Sequence, residues 1–270
     1  MRDAFPRTRR AGPIGILDSG LGGLTIWREI HARVPNESTV YIGDHAYMPY
    51  GNRSLEIVRN RVQRLIAFLR TKGAKLIVIA CNTATVAGID AYRRRFADVP
   101  IIGVVPVIKT AVSLTRTNHI AVLSTPNTAE GAYQKRLIDI YAKGRVVKNI
   151  GMPDLAQRIE EGAEDVVIDQ TVARYLTPGK LRSVDTIALG CTHYPFVADS
   201  IARVAGNHVR IIDSGAAVAR HVAAVLGKEA LRSESKTAYT QWYTTGNARV
   251  VSRAAKRLMG TSLSFAYVRL

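Results

Sequence analysis

The chain consists of short, nearly continuous apolar runs that alternate with stretches of helical periodicity. A run such as 76–80 (Leu-Ile-Val-Ile-Ala) has no polar face, which is typical of parallel strands that are buried on both sides. The alternation therefore predicts an α/β fold with mostly parallel sheets. We expect strands at Ile14–Asp18, Thr39–Gly43, Lys75–Ala80, Pro100–Val104, His119–Ser124, Val184–Gly190 and Val209–Asp213, and a further strand within Ala238–Thr245. Helices are expected at Ser54–Thr71, Thr128–Ala142 and Tyr194–Val204.

Length and composition are those of a globular protein with a large core. The chain has 270 residues, of which 47% are hydrophobic and 22% charged, enough for two α/β lobes. No apolar run reaches the roughly eighteen residues of a membrane span, so we expect no membrane partner. The Arg-rich N-terminus lacks the apolar core of a secretory signal, and residues 1–12 are expected to form a flexible basic tail. We therefore expect a cytoplasmic protein with both of its cysteines reduced.

The charge balance is strongly basic. Lys and Arg total 38 against 21 Asp and Glu, which gives a net charge of +17. This excess favours an anionic partner, either a small anionic substrate or nucleic acid. The basic residues are scattered over many segments and form no zinc-finger, RNP-like or polybasic-helix pattern. A solvated basic surface is the preferred interpretation, and nucleic-acid binding is the weaker alternative.

Polar clusters follow the predicted strands at the points where helices begin. They are Asp18-Ser19-Gly20, Cys81-Asn82-Thr83, Ser124-Thr125, Cys191-Thr192-His193 and Asp213-Ser214-Gly215. In open α/β sheets ligands bind at the carboxyl ends of the strands, so these clusters indicate the functional site. The two cysteine clusters resemble each other, and so do the two aspartate clusters. We therefore expect two related lobes facing each other across a cleft, one formed by 13–104 plus 213–270 and the other by 105–212.

The two cysteines, Cys81 and Cys191, are the strongest candidates for chemistry. Each follows a strand and precedes a helix, where the helix N-terminus is expected to lower the pKa of a thiol from about 8.5 toward neutrality. Such a thiol can both accept and donate a proton. A single free cysteine is more often a small buried hydrophobic residue, but two in matched contexts favour a catalytic role.

Other candidate residues are ambiguous when taken alone. Asp18 lies in a glycine-rich turn that matches no nucleotide-binding motif, and it is equally well explained as a cap of that turn. His193 could orient or activate the Cys191 thiol, although a lone histidine is more often structural. Zinc bound by Cys81, Cys191, His193 and Asp18 is a further alternative, but the metal-site spacings Cys-x-x-Cys and His-Glu-x-x-His are missing. Residues 47–51 form a turn, and Glu160 lies near a helix end.

Taken together, these segments resemble the glutamate racemase family within the wider aspartate/glutamate racemase superfamily. The matching stretches are Gly15–Leu24, Pro49–Gly51, Ala80–Ala84, Gly103–Pro106, Gly190–Pro195 and Ile212–Ala216. They occur in order from about Pro13 to about Leu226. The histidine that follows Cys191 and Thr192 resembles the glutamate branch more than the aspartate branch.

The resemblance implies two pseudo-symmetric flavodoxin-like lobes with the active site in the cleft between them. It implies interconversion of L- and D-glutamate for peptidoglycan without PLP or another cofactor. Cys81 and Cys191 would be the two acid/base residues, with Asp18 assisting Cys81 and His193 assisting Cys191. Glu160 would match an additional carboxylate of the family near the second thiol.

The resemblance also implies a set of substrate-binding residues. They are Asp18, Ser19, Tyr50, Gly51, Asn82, Thr83, Thr192 and His193. The α-proton of an amino acid is very weakly acidic, so the transition state needs such preorganised donors at the carboxylate. We expect a homodimer without a bound metal. The alternatives are a sister racemase for aspartate or another amino acid, a non-catalytic nucleic-acid-binding or regulatory relative, and a zinc-dependent hydrolase.

Overall fold

The protein contains two separate parallel β-sheets, as seen in a computed structural model that describes residues 10–235 and 237–270. The strands are β1 (Ile14–Asp18), β2 (Thr39–Gly43), β3 (Leu76–Ile79), β4 (Ile101–Gly103), β5 (His119–Ser124), β6 (Val146–Gly151), β7 (Thr186–Leu189), β8 (Arg210–Ile212), β9 (Thr240–Thr244) and β10 (Phe265–Tyr267). The first sheet has the order β10-β9-β2-β1-β3-β4, and the second has the order β6-β5-β7-β8. This confirms the predicted α/β class.

Helices connect the strands and cover both sheets. They span Leu24–Arg33, Leu55–Thr71, Asn82–Arg95, Ile108–Leu114, Pro126–Ala129, Ala132–Tyr141, Leu155–Glu161, Asp165–Tyr175, Pro178–Leu181, Ala198–Ala205, Gly215–Lys228 and Ala248–Met259. Two short 3₁₀ turns lie at Tyr50–Asn52 and Tyr194–Val197. Within the described part of the chain, none of the helices combines the length and apolar character that a membrane span requires.

Strand register brings the polar clusters of the first sheet together. β1 lies between β2 and β3, with Asp18 opposite Gly43 and Leu17 opposite Ile79. All the strands are parallel, so their carboxyl ends lie at one edge of the sheet. Cys81, two residues past the end of β3, therefore starts its helix beside Asp18.

The first sheet is buried on both faces, as its continuous apolar runs require. On one face Ile16 and Val78 pack with Leu24 of helix Leu24–Arg33 and Val222 of helix Gly215–Lys228. On the opposite face the apolar side of helix Leu55–Thr71 packs against the sheet. Each fully buried Leu or Ile stabilises the fold by about 1.5–3 kcal/mol, so this layer holds the strand ends rigidly.

The second sheet repeats the arrangement around β5. Leu123 and Ile187 pack against the helices Leu155–Glu161, Asp165–Tyr175 and Ala198–Ala205, and Val122 packs on the other face with Ile108. The chain passes from the first sheet to the second after β4, and it leaves the second sheet after β8. Helix Gly215–Lys228 then returns to the core of the first sheet.

Several expectations about elements were wrong in detail. β6 and β10 were not predicted; both are edge strands, partly exposed, and β6 carries Lys148 and Asn149 in its middle. The helix expected at Thr128–Ala142 is two helices, with Gly131 capping the second. The helix expected at Tyr194–Val204 begins as a 3₁₀ turn and becomes α-helical only at Ala198.

The predicted basic tail lies mostly outside the described residues, because residues 1–9 are not described. Arg10 contacts the folded chain: its carbonyl oxygen accepts from Lys75 Nζ at 2.7 Å, and its guanidinium pairs with Glu234 at 3.1 Å. Lys75 is fully buried and pairs with Glu37 at 2.5 Å.

Candidate active site

One cavity lies where the carboxyl ends of the two sheets face each other. It is lined by Ser19, Cys81 and Asn82 from the first sheet and by Thr125, Cys191 and Thr192 from the second. It encloses about 340 Å³ of space, part of it open to solvent. Both predicted thiols therefore face one small cavity from opposite sides.

Cys81 is the N-cap of helix Asn82–Arg95. Its Sγ accepts from the Ala84 amide at 3.4 Å, and its thiol donates to Ser19 Oγ at 3.7 Å. Burial and the nearby charge of Asp18 raise the pKa of Cys81 to about 12. The expectation that the helix N-terminus lowers this pKa was wrong, because one amide hydrogen bond is outweighed by desolvation and by a neighbouring carboxylate. Cys81 therefore holds its proton.

Asp18 lies beneath this thiol and is fully buried. Its Oδ2 accepts from the Gly20 amide at 3.0 Å, and its Oδ1 accepts from Thr192 Oγ1 at 3.4 Å, a contact between the two halves of the site. Burial raises the pKa of Asp18, and the charge of His193 opposes that rise. A side chain at Gly23 would clash with Asp18, so glycine is required there for the turn to approach the carboxylate.

Cys191 has a different neighbour. Its Sγ lies 3.8 Å from His193 Nδ1, and His193 Nε2 lies 2.6 Å from Glu160 Oε1. Burial disfavours the imidazolium, but the hydrogen bonds and charges of Cys191 and Glu160 outweigh it and raise the pKa of His193 well above its ordinary value. A protonated His193 donates from Nδ1 to the sulfur and from Nε2 to the carboxylate, whereas a neutral His193 with an unprotonated Nε2 accepts from the Gly22 amide at 3.1 Å.

Glu160 is held as the anion. Its burial favours the neutral acid, but the hydrogen bond from His193, the charges of His193 and His45, and a hydrogen bond from the Leu21 amide together lower its pKa. Glu160 does not line the cavity that contains the thiols. It lines an adjacent pocket, separated from the first by Met48 and Pro49, so it reaches the thiol side only through His193.

The predicted substrate-binding residues other than Asp18 line the thiol cavity. They are Ser19, Tyr50, Gly51, Asn82, Thr83, Thr192 and His193. Asn82 is buried, and neither its Oδ1 nor its Nδ2 has a hydrogen-bond partner among the described residues. An unpaired buried amide is costly, so this side chain is available to a ligand. The Tyr50 hydroxyl, in contrast, donates to Asp44 at 2.6 Å, and Asp44 is paired with Arg61.

A cluster of three hydroxyls contributes residues that were not among the sequence candidates. Thr83 Oγ1 lies 2.8 Å from Thr125 Oγ1 and 3.2 Å from Thr128 Oγ1, and the latter two are 3.2 Å apart. Thr125 lines the cavity and Thr128 supports it from behind. Thr125 belongs to the polar cluster Ser124-Thr125 at the end of β5, which indicates the functional site in the sequence but not which of its hydroxyls faces the cavity.

The fold and this site define the class of protein. A sequence profile described as Asp/Glu/Hydantoin racemase matches residues 14–222. Two α/β sheets with a thiol from each at a shared cavity are consistent with an isomerase of that family. More particularly, the chain belongs to the glutamate racemase family, as the following relatives show.

The similar proteins cover nearly the whole chain. The glutamate racemase of Stutzerimonas stutzeri is 39% identical over 251 residues, 93% of this chain and 95% of that protein. The glutamate racemase of a Roseiflexus species is 40% identical over 228 residues, 84% of each chain. Among solved structures, a glutamate racemase isoform from Bacillus anthracis has a TM-score of 0.89 at 33% identity and covers 96% of this chain and 98% of its own. That of Francisella tularensis, in complex with D-glutamate, has a TM-score of 0.85 at 27% identity, with coverage of 96% and 98%.

Proposed function

We propose that the protein interconverts L- and D-glutamate without a cofactor, using Cys81 and Cys191 as a pair of acid/base groups, and that it supplies D-glutamate for peptidoglycan. The observation that carries the mechanism is the placement of both thiols on one cavity, one from each sheet. Inversion at a carbon requires a base on one face and an acid on the other. The two thiols, one on each wall of the cavity, supply such a pair.

The proton balance of the reaction follows from this pair. One thiolate takes the α-proton, and the electron pair left on the α-carbon is delocalised into the α-carboxylate. The opposite thiol then gives its proton to the other face of the carbon and becomes the thiolate. Because Cys81 carries its proton, it is the acid in the direction in which Cys191 is the base. The reverse reaction exchanges the two roles.

The residues around the cavity support the developing negative charge. The unpaired Asn82 amide and the hydroxyls of Ser19, Thr83 and Thr192 are polar groups that can face the substrate carboxylates and ammonium. Donors held in place before the reaction stabilise a carbanion-like transition state without reorganisation. We assign Asp18 to assist Cys81 and His193, with Glu160 behind it, to assist Cys191.

The proposal includes the division of the chain and its assembly. The lobe that carries Cys81 is formed by 13–104 plus 213–270, and the lobe that carries Cys191 by 105–212. Strand membership supports this division, because β5–β8 form the second sheet and all other strands form the first. We assign the enzyme to the cytoplasm, where thiols stay reduced. We also assign it as a homodimer, in which each subunit contributes both thiols of its own site.

The test is incubation of the purified protein with L-glutamate in D₂O without added PLP or metal. Circular dichroism follows loss of the enantiomer, and NMR follows uptake of α-deuterium. Racemisation with one solvent deuteron per inverted carbon is the expected result. Activity on L-aspartate alone in a parallel assay would change the assigned substrate from glutamate to aspartate and leave the two-thiol mechanism in place. Inactivity on both, with salt-sensitive DNA binding, would overturn the proposal in favour of a binding protein.

A further inference from the structure

His45 is a buried histidine near the site for which the mechanism so far has no role. It lies two residues beyond β2, and its Nε2 is 3.5 Å from Glu160 Oε2. The side chains of both residues are only 10% exposed. His45 Nε2 has no hydrogen-bond partner among the described residues, and Glu160 Oε2 is the carboxylate oxygen that faces it.

The orientation of the His45 ring is fixed by its other nitrogen. Thr244 Oγ1 accepts from the Gly246 amide at 3.0 Å, so its own hydrogen is free to be donated to His45 Nδ1 at 2.8 Å. When Nδ1 accepts, the neutral imidazole carries its proton on Nε2, which faces Glu160. When the ring is protonated, the Gly43 carbonyl oxygen, 3.2 Å from Nδ1, becomes a second acceptor.

The backbone around this ring leaves room for it. A side chain at Gly43 would come within 2.6 Å of His45 Cε1, and one at Gly246 within 2.7 Å of His45 Cβ. Both positions therefore need glycine for the ring to lie where it does. Together with the Thr244 contact, this makes His45 a residue held in one position, with its Nε2 toward the carboxylate.

Glu160 consequently lies between two imidazoles. Its Oε1 accepts from His193 and from the Leu21 amide, and its Oε2 faces His45. The result is a continuous series from His45 through Glu160 and His193 to the Cys191 sulfur. On the basis of the racemase function proposed above, we propose that His45 is a positioning residue for the Cys191 half of the site, acting through Glu160 on His193.

Other charged groups around Glu160 do not replace this contact. Arg257 donates to the Glu160 backbone carbonyl rather than to the carboxylate, and Arg253 and Glu161 line the same pocket. Asp18 interacts with Glu160 through its charge, and no hydrogen bond joins the two carboxylates among the described residues. In the described part of the chain, His45 and His193 are thus the two basic side chains that contact the carboxylate oxygens.

Loss of the His45 contact should act on both limbs of the pH profile. Without it, the pKa of Glu160 rises, because the interaction with His45 that lowers it is removed. When a smaller fraction of Glu160 is ionised, it stabilises the His193 imidazolium less, so the pKa of His193 falls. The acidic limb of kcat/KM then moves to higher pH and the alkaline limb to lower pH, and the active range narrows.

Two substitutions of similar size test the contacts of the two ring nitrogens of His45 independently. In His45→Asn the amide occupies the position of Nδ1 and keeps the Thr244 contact, but it cannot reach Glu160. In His45→Gln the longer side chain places an N–H near the position of Nε2. His221→Asn, at an exposed histidine on helix Gly215–Lys228, is the control for loss of a histidine.

The measurement is kcat/KM for L-glutamate across pH, with thermal unfolding as the check on folding. We expect His45→Asn to lose about tenfold at neutral pH, the effect of one polar contact with a charged group, and to show the narrowed profile. His45→Gln and His221→Asn should stay within about twofold of wild type in the same assay. Equal losses in the Asn and Gln variants, or a loss without movement of the limbs, would overturn the role of His45. An inactive wild-type protein would instead overturn the racemase function itself.

Discussion

The two thiols occupy equivalent places in two similar sheets, yet their surroundings differ. Cys81 caps a helix and lies beside a buried carboxylate, Asp18, which together with burial raises its pKa to about 12. Cys191 is followed by a turn and a 3₁₀ helix, and its sulfur lies 3.8 Å from an imidazole that Glu160 keeps protonated. One thiol therefore has an anionic neighbour and the other a cationic one.

The comparison shows that strand topology places a residue but does not set its protonation. Parallel strands bring the ends of β3 and β7 to the same kind of position. The proton affinity at each end is then decided by which side chains other segments bring close. A racemase gains from this difference, because a proton donor and a proton acceptor must be ready on opposite sides of one carbon. The following predictions test how far the two halves differ.

The largest effect is expected from removing either thiol. Cys81→Ala and Cys191→Ala should each lower kcat for racemisation by at least about 10³-fold in both directions, because each direction uses both groups. The unfolding temperature should change little, since each substitution removes one sulfur atom from a cavity wall. A variant with near-normal turnover would contradict the two-base assignment.

Serine variants distinguish the two halves. In Cys81→Ser or Cys191→Ser the intact thiol can still remove the proton from one enantiomer only. NMR in D₂O should therefore show α-proton exchange without inversion, with L-glutamate for one variant and with D-glutamate for the other. Exchange of the same enantiomer in both variants would mean that the thiols do not face opposite sides of the substrate.

A second, smaller effect is expected from Glu160→Gln. The pKa of His193 should fall, since the carboxylate that raises it is gone, and the alkaline limb of the pH profile should move to lower pH. A loss of about 10²-fold in kcat is expected at neutral pH, because His193 loses the carboxylate that stabilises its protonated form and can no longer assist proton transfer at Cys191. Gln157→Ala, on the same helix and exposed, serves as the control. An alkaline limb that stays at the same pH would show that Glu160 does not raise the pKa of His193.

Asp18→Asn tests the other half. Removing the charge of Asp18 lowers the pKa of Cys81, so the fraction of thiolate at a given pH rises. Alkylation of Cys81 by iodoacetamide, followed by mass spectrometry, should accelerate by about tenfold, equivalent to one pKa unit. Cys191 in the same molecule is the internal reference. Acceleration of both cysteines alike would indicate a general opening of the cavity rather than an electrostatic effect.

The smallest effect is expected at Thr128→Val, which lies between the two halves. The hydroxyl supports Thr83 and Thr125, one from each side of the cavity. Its loss should raise KM for glutamate by about two- to fivefold, the effect of one neutral hydrogen bond, with little change in kcat. A large fall in kcat would show that the hydroxyl cluster acts in the chemical step.

Much of the fold follows from local sequence patterns. β1, β2 and β5 have the predicted bounds, because each has an apolar segment that stops at a polar residue or one residue before it. β6 was missed because Lys148 and Asn149 interrupt its apolar residues, and β10 was missed because it is only three residues long. Fold class and family could be predicted, since both depend on motifs contiguous in sequence.

The protonation of the site could not be predicted in the same way. The pKa of Cys81 depends on burial and on a carboxylate 63 positions earlier in the chain, neither of which a helix-start motif reveals. The contact between His45 and Glu160 depends on how helix Leu155–Glu161 approaches the loop after β2. Such contacts between distant segments exist only after the two sheets have packed together.

The chain crosses from the first sheet to the second after β4 and returns after β8, and this path has a consequence for folding during synthesis on the ribosome. The second sheet is complete once β8, ending at Ile212, has emerged, whereas the first sheet still lacks β9 and β10, which end at Tyr267. The nascent chain can thus complete the second sheet early. The first sheet contains β1 but cannot be completed until β10 has emerged. The edge of β2 is left unpaired during that interval, and it is where a stalled or truncated chain would be most open to pairing with another molecule.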